Sequence, residues 1–456
     1  MKAMLLALRT SRCRLSCIER PRQLRRLYSS TNLRCSDNTV QNTYSSVNAT
    51  IVNEYTVSGS DKKVAYWLLG MCGLVAGMVT VGGITRLTRS GLSMTDWKLQ
   101  GSLPPISLEQ WNVEFERYKQ YPEWQQRKSM TLDEFKFIYY WEYGHRMMGR
   151  SLGVAFTLPM IYFSYHNIIP SAFYPKLGGL FLLGGTQGLI GWWMVKSGLN
   201  LDPKQKKEIR VSPYRLATHL SMAFTTYTLL LWTALDLLNP VQHVKTVAAK
   251  LPNTILNYGS KIRKIAIING ILVASTVLSG AYVAGNDAGN AFNTFPMMND
   301  EWIPSEIFDM KPLWRNFFEN TATVQFDHRV LALTTLSSVW SMYYMARTGL
   351  NKAFYASLPS FARKSLNAVA HMSIVQVGLG ISTLLLYVPV PLAAVHQAGS
   401  LALLTFITCF VHSLKYTRFA GAGSSVLANL VPKFIANQHK VSPLSANVIQ
   451  FFQRNK

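Results

Sequence analysis

Eight stretches of this chain are apolar over the length of helix, about 20 residues, that crosses the hydrocarbon of a bilayer. They are 65–87, 138–164, 176–197, 213–237, 264–285, 324–346, 366–388 and 391–415. Only helices and closed barrels satisfy their backbone polar groups in lipid. The pattern predicts an all-α membrane protein of eight transmembrane helices. Composition agrees: 49% of residues are hydrophobic and only 15% charged, against about a quarter charged in soluble domains.

An even number of spans puts both termini on one side. Lys245, Lys250, Lys261, Arg263 and Lys264 cluster in one connecting segment, Arg347, Lys352, Arg363 and Lys364 in another, and Lys433, Lys440, Arg454 and Lys456 in the tail. The positive-inside rule assigns these to the inner side. On the other side 286–322 is net acidic, 88–137 is mixed, and Lys204, Lys206, Lys207 and Arg210 are basic. Charge at span ends also accounts for the net +24 without nucleic acid, because no basic face alternates with stacking aromatics.

Residues 1–35 hold Lys2 and eight arginines against one acid, Glu19. Arg-rich, Ser-rich and acid-poor is the signature of a mitochondrial transit peptide, with Arg25-Arg26-Leu27-Tyr28-Ser29-Ser30 as a processing stretch. The expected location is the mitochondrial inner membrane, multi-pass, with both termini in the matrix. The expected division is 1–35 transit peptide, 36–64 flexible matrix segment, 65–239 first four-helix bundle, 240–263 matrix linker, 264–415 second bundle and 416–456 matrix tail. Cys13, Cys17 and Cys35 fall in the leader, and Cys72 and Cys409 in separate spans, so no metal-ligand or disulfide spacing is present.

The chain repeats itself. Gln187 precedes Gly191 by four residues, as Gln376 precedes Gly380. Leu216-Ala217-Thr218-His219 resembles Ala393-Ala394-Val395-His396, and Gly144-His145-Arg146 resembles Asp327-His328-Arg329. Thr88-Arg89-Ser90-Gly91 and Asn286-Asp287-Ala288-Gly289 close the first span of each half. The order is the same in both halves, which predicts two pseudo-symmetric four-helix bundles in parallel repeat.

His145, His219, His328 and His396 all sit near the starts of even-numbered spans, hence at one depth near the outer surface. A polar residue inside a span is costly and marks function. A single such histidine is most simply a hydrogen-bonded core residue; two pairs at equivalent places favour ligands. Two imidazoles facing one another across a four-helix unit suit axial ligation of haem iron. His166, His243, His371, His412 and His439 read as structural. Glu142 lies three residues before His145 and shares its helix face, whereas Gln325 stands at the equivalent place and cannot ionise. The asymmetry suggests a reactive first site and an electron-carrying second one; Glu142 as a helix cap or as partner of Arg146 is the plainer alternative. Arg146 and Arg329, with Arg86, Arg89 and Arg150, are candidates for haem propionates, or for interfacial anchors.

Glu142-Tyr143-Gly144-His145-Arg146, the run from Gly82 to Met94, Trp97, Leu103-Pro104-Pro105 and the run from Met130 to Phe137 resemble haem A synthase of the mitochondrial type, over about residues 60–415. The resemblance implies eight transmembrane helices in two bundles. It implies haem b as cofactor at His328 and His396, and haem O as substrate at His145 and His219. It also implies Glu142 as the essential carboxylate, and oxidation of the haem C8 methyl through an alcohol to the formyl. A ferredoxin and its reductase would supply electrons, haem O synthase the substrate, and cytochrome c oxidase would take the product. Homo-oligomerisation is left open. Some bacterial members carry a cysteine pair after the first span; this chain has none there, so a thiol step at that place is excluded. The rival readings are a bis-histidine b-type cytochrome that only transfers electrons, and a haem carrier or assembly factor without catalysis.

Overall fold

The computed structural model describes residues 57–96, 98, 100–199, 209–348 and 352–420. The leader, most of 36–64, the tail beyond 420, Trp97, Lys204, Lys206 and Lys207 lie outside the described residues. The helices are α1 (Gly59–Leu87), α2 (Leu108–Tyr118), α3 (Leu132–Tyr165), α4 (Tyr174–Leu199), α5 (Pro213–Leu238), α6 (Val241–Ala249), α7 (Asn253–Gly285), α8 (Thr321–Arg347), α9 (Ser360–Leu385) and α10 (Val390–Ser413). By length and composition α1, α5, α7, α9 and α10 can cross a membrane. α3 and α8 are as long but carry Glu142, Arg146, Arg150, Asp327 and Arg329, and α4 is diluted by glycine and tryptophan.

Local chemistry sets the boundaries. Thr131 and Glu134 form a capping box that starts α3 six residues before the expected apolar run. Ser107 and Gln110 do the same for α2, a helix that the span pattern did not include. Asn320 caps α8 by accepting from Ala322 N (2.9 Å) and Thr323 N (3.2 Å). Two expected segments change character. α1 already begins at Gly59, inside the expected flexible stretch 36–64, and the expected linker 240–263 is built from α6 and the first turns of α7. Apolar residues at helical spacing, Val244, Val247 and Ala248, bury one face of α6.

The packing pattern of the first four long helices returns in the second four. α1 packs on α3 and α5, and α4 on α3 and α5; correspondingly α7 packs on α8 and α10, and α9 on α8 and α10. α5 meets α7, and α10 meets both α1 and α5. Polar contacts secure that seam, since apolar side chains gain little from meeting one another in lipid. Asp287, after α7, accepts from Arg86 (2.9 Å) and from Arg210 (3.0 Å). Gln397 Nε2 donates to Val79 O (3.1 Å), and Tyr227 and Thr405 share a hydrogen bond of 2.8 Å.

At the opposite end Asp236 of α5 gathers Lys176 (2.7 Å), His412 Nε2 (3.0 Å) and Lys415, joining α4, α5 and α10. Its side chain is only 12% exposed. Asp236→Asn therefore leaves cationic partners poorly paired in a confined place, and is expected to cost about 3 kcal/mol. Thermal unfolding in detergent should show a clearly lowered midpoint.

Candidate functional site

The four histidines come from α3 (His145), α5 (His219), α8 (His328) and α10 (His396), all toward the helix ends that carry the connections 88–131, 200–212, 286–320 and 386–389. The two rings of each half are electrostatic neighbours, His145 with His219 and His328 with His396. Each ring lies deep in the protein, yet each keeps partial exposure.

Each ring also rests on a glycine of the adjacent helix. A Cβ on Gly82 would stand 2.7 Å from His145 Cε1. On Gly191, Gly280 and Gly380 it would stand 3.0 Å from Cε1 of His219, His328 and His396 respectively. The glycines of α1 and α7 thus seat the first histidine of each half, and those of α4 and α9 the second. Any side chain at these places would push the imidazole off its seat. Gly82→Ala, the tightest case, is expected to displace the His145 ring and, with that ring as a haem ligand, to slow turnover roughly tenfold to hundredfold, as displacements near 1 Å do. Optical titration with haem checks it. Gly149→Ala, whose Cβ would meet only the flexible tip of Met78 at 3.2 Å, should change little.

The halves differ in how the rings are held. Ser279 Oγ donates to Thr276 O (2.8 Å) and lies 2.8 Å from His328 Nδ1. Its proton is thus already used, and it accepts from Nδ1–H. That fixes the tautomer with a free lone pair on Nε2, the form a metal ligand needs. Gln376 Nε2 donates to His396 O (2.7 Å) and lies 3.1 Å from its Nδ1. In the first half Gln187 Nε2 donates only to the backbone carbonyl of His219 (3.0 Å), and Nδ1 of both His145 and His219 is buried without a partner. Val81 stands where Ser279 would be.

Glu142 and Gln325 occupy matching positions with opposite hydrogen-bond polarity. Glu142 Oε2 accepts from Ser93 Oγ (2.7 Å) and Met94 N (2.7 Å), and Oε1 accepts from Arg146 Nη2 (2.6 Å). Gln325 Oε1 accepts from Arg329 Nη2 (2.7 Å), while its Nε2 donates to the carbonyls of Ala288 and Ala291. Both therefore pin the loop that follows the first helix of their half. Arg146 also donates to Asp96 O and Met94 O, Arg150 to Arg146 O and Lys98 O, and Arg329 to Phe292 O, Pro296 O and Met297 O. Arg86 holds Asp287 and Ala284 O across the seam, and Arg89, at φ 53°, lies close by.

Arg86, Arg146, Arg150 and Arg329 thus each hold a loop, a role the sequence did not reveal. The buried Nε atoms of Arg86 and Arg329 have no protein partner and stay available to an anionic group. Deep, glycine-seated, partly accessible imidazole pairs, together with buried guanidinium donors on Arg86 and Arg329, are a donor set that fits a haem in each half. The sequence pointed to the four histidines, Glu142 and the Gln187/Gly191 and Gln376/Gly380 repeats. It missed Gly82, Gly280 and Ser279, whose only signal is recurrence: Gly82 and Gly280 both lie five residues before their helix ends.

Residues 65–408 match the COX15-CtaA family of cytochrome oxidase assembly proteins. The haem A synthase COX15 of Arabidopsis thaliana is 50% identical over 357 residues, which is 78% of this chain and 75% of the plant protein. Its counterpart in Homo sapiens is 44% identical over 358 residues, 78% of this chain and 83% of the human one. A haem A synthase–mitochondrial ferredoxin fusion protein of Schizosaccharomyces pombe is 43% identical over 365 residues, 75% of this chain and 58% of the fusion. With a family match that runs through both histidine pairs and the seam between the halves, the chain belongs to the COX15-CtaA family of cytochrome oxidase assembly proteins.

Proposed function

We propose that the chain is a haem A synthase that oxidises the C8 methyl of haem O to a formyl group, supplying haem A for cytochrome c oxidase. The observation that carries the reading is one histidine-on-glycine construction occurring twice, with an ionisable carboxyl on the first copy and an amide on the second. All eight long helices act as spans of the mitochondrial inner membrane, in two pseudo-symmetric four-helix bundles with both termini in the matrix. The shared packing pattern of the two sets of four helices supports that arrangement.

The second half holds haem b between His328 and His396. There Ser279 stands at hydrogen-bond distance from Nδ1 of one ligand and Gln376 holds the backbone carbonyl of the other, which suits a resident group. When bound, haem b carries electrons one at a time. The first half receives haem O between His145 and His219. Their untied Nδ1 atoms leave the rings free to adjust as substrate enters and product leaves. Gly82 and Gly191 set where each ring sits, and Arg86 and Arg329 offer buried donors to propionates. Glu142 combines two tasks. It holds Ser93 and Met94 beside the site, and it is the first half's acid–base group for proton transfer at the methyl being oxidised. A ferredoxin with its reductase is the electron source, a reading supported by the fusion found in the S. pombe relative, and haem O synthase delivers the substrate.

Pigment analysis after co-expression with haem O synthase, in a host that makes no haem A, tests this. New haem A is the expected result. Haem b with no haem A would leave an electron-carrying cytochrome.

A further inference from the structure

Among the described residues, one buried acid beyond the two histidine pairs and Glu142 remains unused. Glu123 lies in the 3₁₀ turn Pro122–Gln126, between α2 and α3 in the cap over the first half. It is 6% exposed. Arg127 Nε stands 3.9 Å from Oε1, and Oε2 has no hydrogen-bond partner. Tyr118 Oη, fully buried on α2, also lacks one; the two groups lie near enough to bear on each other but short of hydrogen-bond geometry. Unpaired buried polar atoms are expensive, and two of them side by side are what an ordered water bridges. Around this pair the cap is apolar: Trp111, Phe115 and Phe135 pack with Tyr118 and Trp124.

The groups that bear on Glu123 come from its surroundings on several elements. They are Arg127 on its own turn, Tyr118 on α2, Glu142 on α3 and Arg89 after α1; α4 also touches the turn and contributes none of these. Burial is the largest influence, and with the charge of Glu142 it outweighs Arg127 and Arg89, pushing the carboxyl up to about 7. Burial likewise pushes the Tyr118 hydroxyl up. Arg127 is 22% exposed, so the outer aqueous phase reaches the far side of the pair.

We propose that Glu123 is the outer carboxyl of a proton path that links the aqueous phase at Arg127, through Tyr118 and Glu123, to Glu142 beside the reacting methyl. The inference rests on the reading of Glu142 given above. With a ferredoxin as electron source and dioxygen as oxidant, each conversion of a methyl C–H to C–OH takes up two electrons and two protons and releases one water. Protons must therefore travel inward, and Glu123 works in its protonated form. Its proton passes toward Glu142 and is restored from outside. The rate falls as pH rises through about 7, where Glu123 loses its proton.

The test uses the full-length protein in lipid vesicles with haem O, a ferredoxin and its reductase. In Glu123→Gln the fall in kcat near neutral pH should vanish. The rate below it should drop about tenfold, less than the hundredfold or more lost with a group at the reacting atoms, with KM for haem O unchanged. Glu123→Asp should restore an inflection, displaced from the original. Infrared titration of the protein without haem O gives a readout independent of turnover: a carboxyl that deprotonates near pH 7 in the wild type and is missing in Glu123→Gln. An unaltered pH profile or a surviving carboxyl band in Glu123→Gln overturns the path. So does equal loss of bound haem b in the Gln and Asp variants, which marks a purely structural residue. Glu142→Gln run in parallel separates the two claims. If it is inactive while Glu123→Gln behaves as wild type, only the path fails; if it makes haem A normally, the reading of Glu142 fails.

Discussion

Replacing Glu142 by glutamine is expected to halt oxidation at haem O or its alcohol, with haem b still bound. Two effects add. The first is chemical: a positioned acid–base group contributes typically 10²–10⁴-fold, and an amide supplies none of it. The second is local. Glu142 accepts three hydrogen bonds, from Ser93, Met94 N and Arg146, each within 2.6–2.7 Å. An amide cannot accept at both ends, so its NH₂ must face either the Met94 N–H or the Arg146 guanidinium. A buried donor set against a donor costs about 1–3 kcal/mol, and it loosens the loop that the carboxylate pins. Ser93→Ala removes one of those bonds and keeps the carboxyl, so it should retain most of the activity. Haem extraction and chromatography from cells making either variant distinguishes them. Normal haem A from Glu142→Gln would remove this residue from the chemistry.

His328→Ala is expected to abolish the low-spin signature of the resident haem while haem O still binds in the first half. Removing the ring would leave His396 as the one imidazole of that pair, and Gly280 would seat nothing. Ser279→Ala is the finer probe. It keeps the ligand but releases Nδ1–H, and with it the tautomer that frees Nε2. Loss of such a supporting partner typically costs 10–100-fold in affinity. Val81→Ser at the corresponding place in the first half should have the opposite effect and tighten the grip on His145. Optical and paramagnetic resonance spectra of the purified variants check both. An unchanged low-spin spectrum in His328→Ala would place the resident haem elsewhere.

Much of this was legible in the residues because it repeats. The histidines stand out as polar groups in apolar spans at matching offsets, and Glu142 against Gln325 is a visible break in the repeat. The Gln187/Gly191 and Gln376/Gly380 pairs were visible too, but not their use: the glycine makes room for a ring on the next helix, a tertiary fact. Gly82 and Gly280 were hidden among 29 glycines. The arginines were read as propionate partners or interfacial anchors because their charge is visible in sequence, whereas the carbonyls that Arg146 and Arg150 hold lie in a loop about 50 residues away, up to 52. α2 and the early start of α3 left capping boxes in the sequence, outweighed by the apolar pattern of the spans.

The central claim is that paired imidazoles grip a haem in each half and that the first half alters the one it holds. Chromatography of the haems released from the purified full-length protein, made alongside haem O synthase, tests this most directly. The account predicts haem b together with haem O or its oxidised products, and loss of the latter alone in His145→Ala. Protein free of porphyrin, or haem b alone that is insensitive to His145, would contradict it.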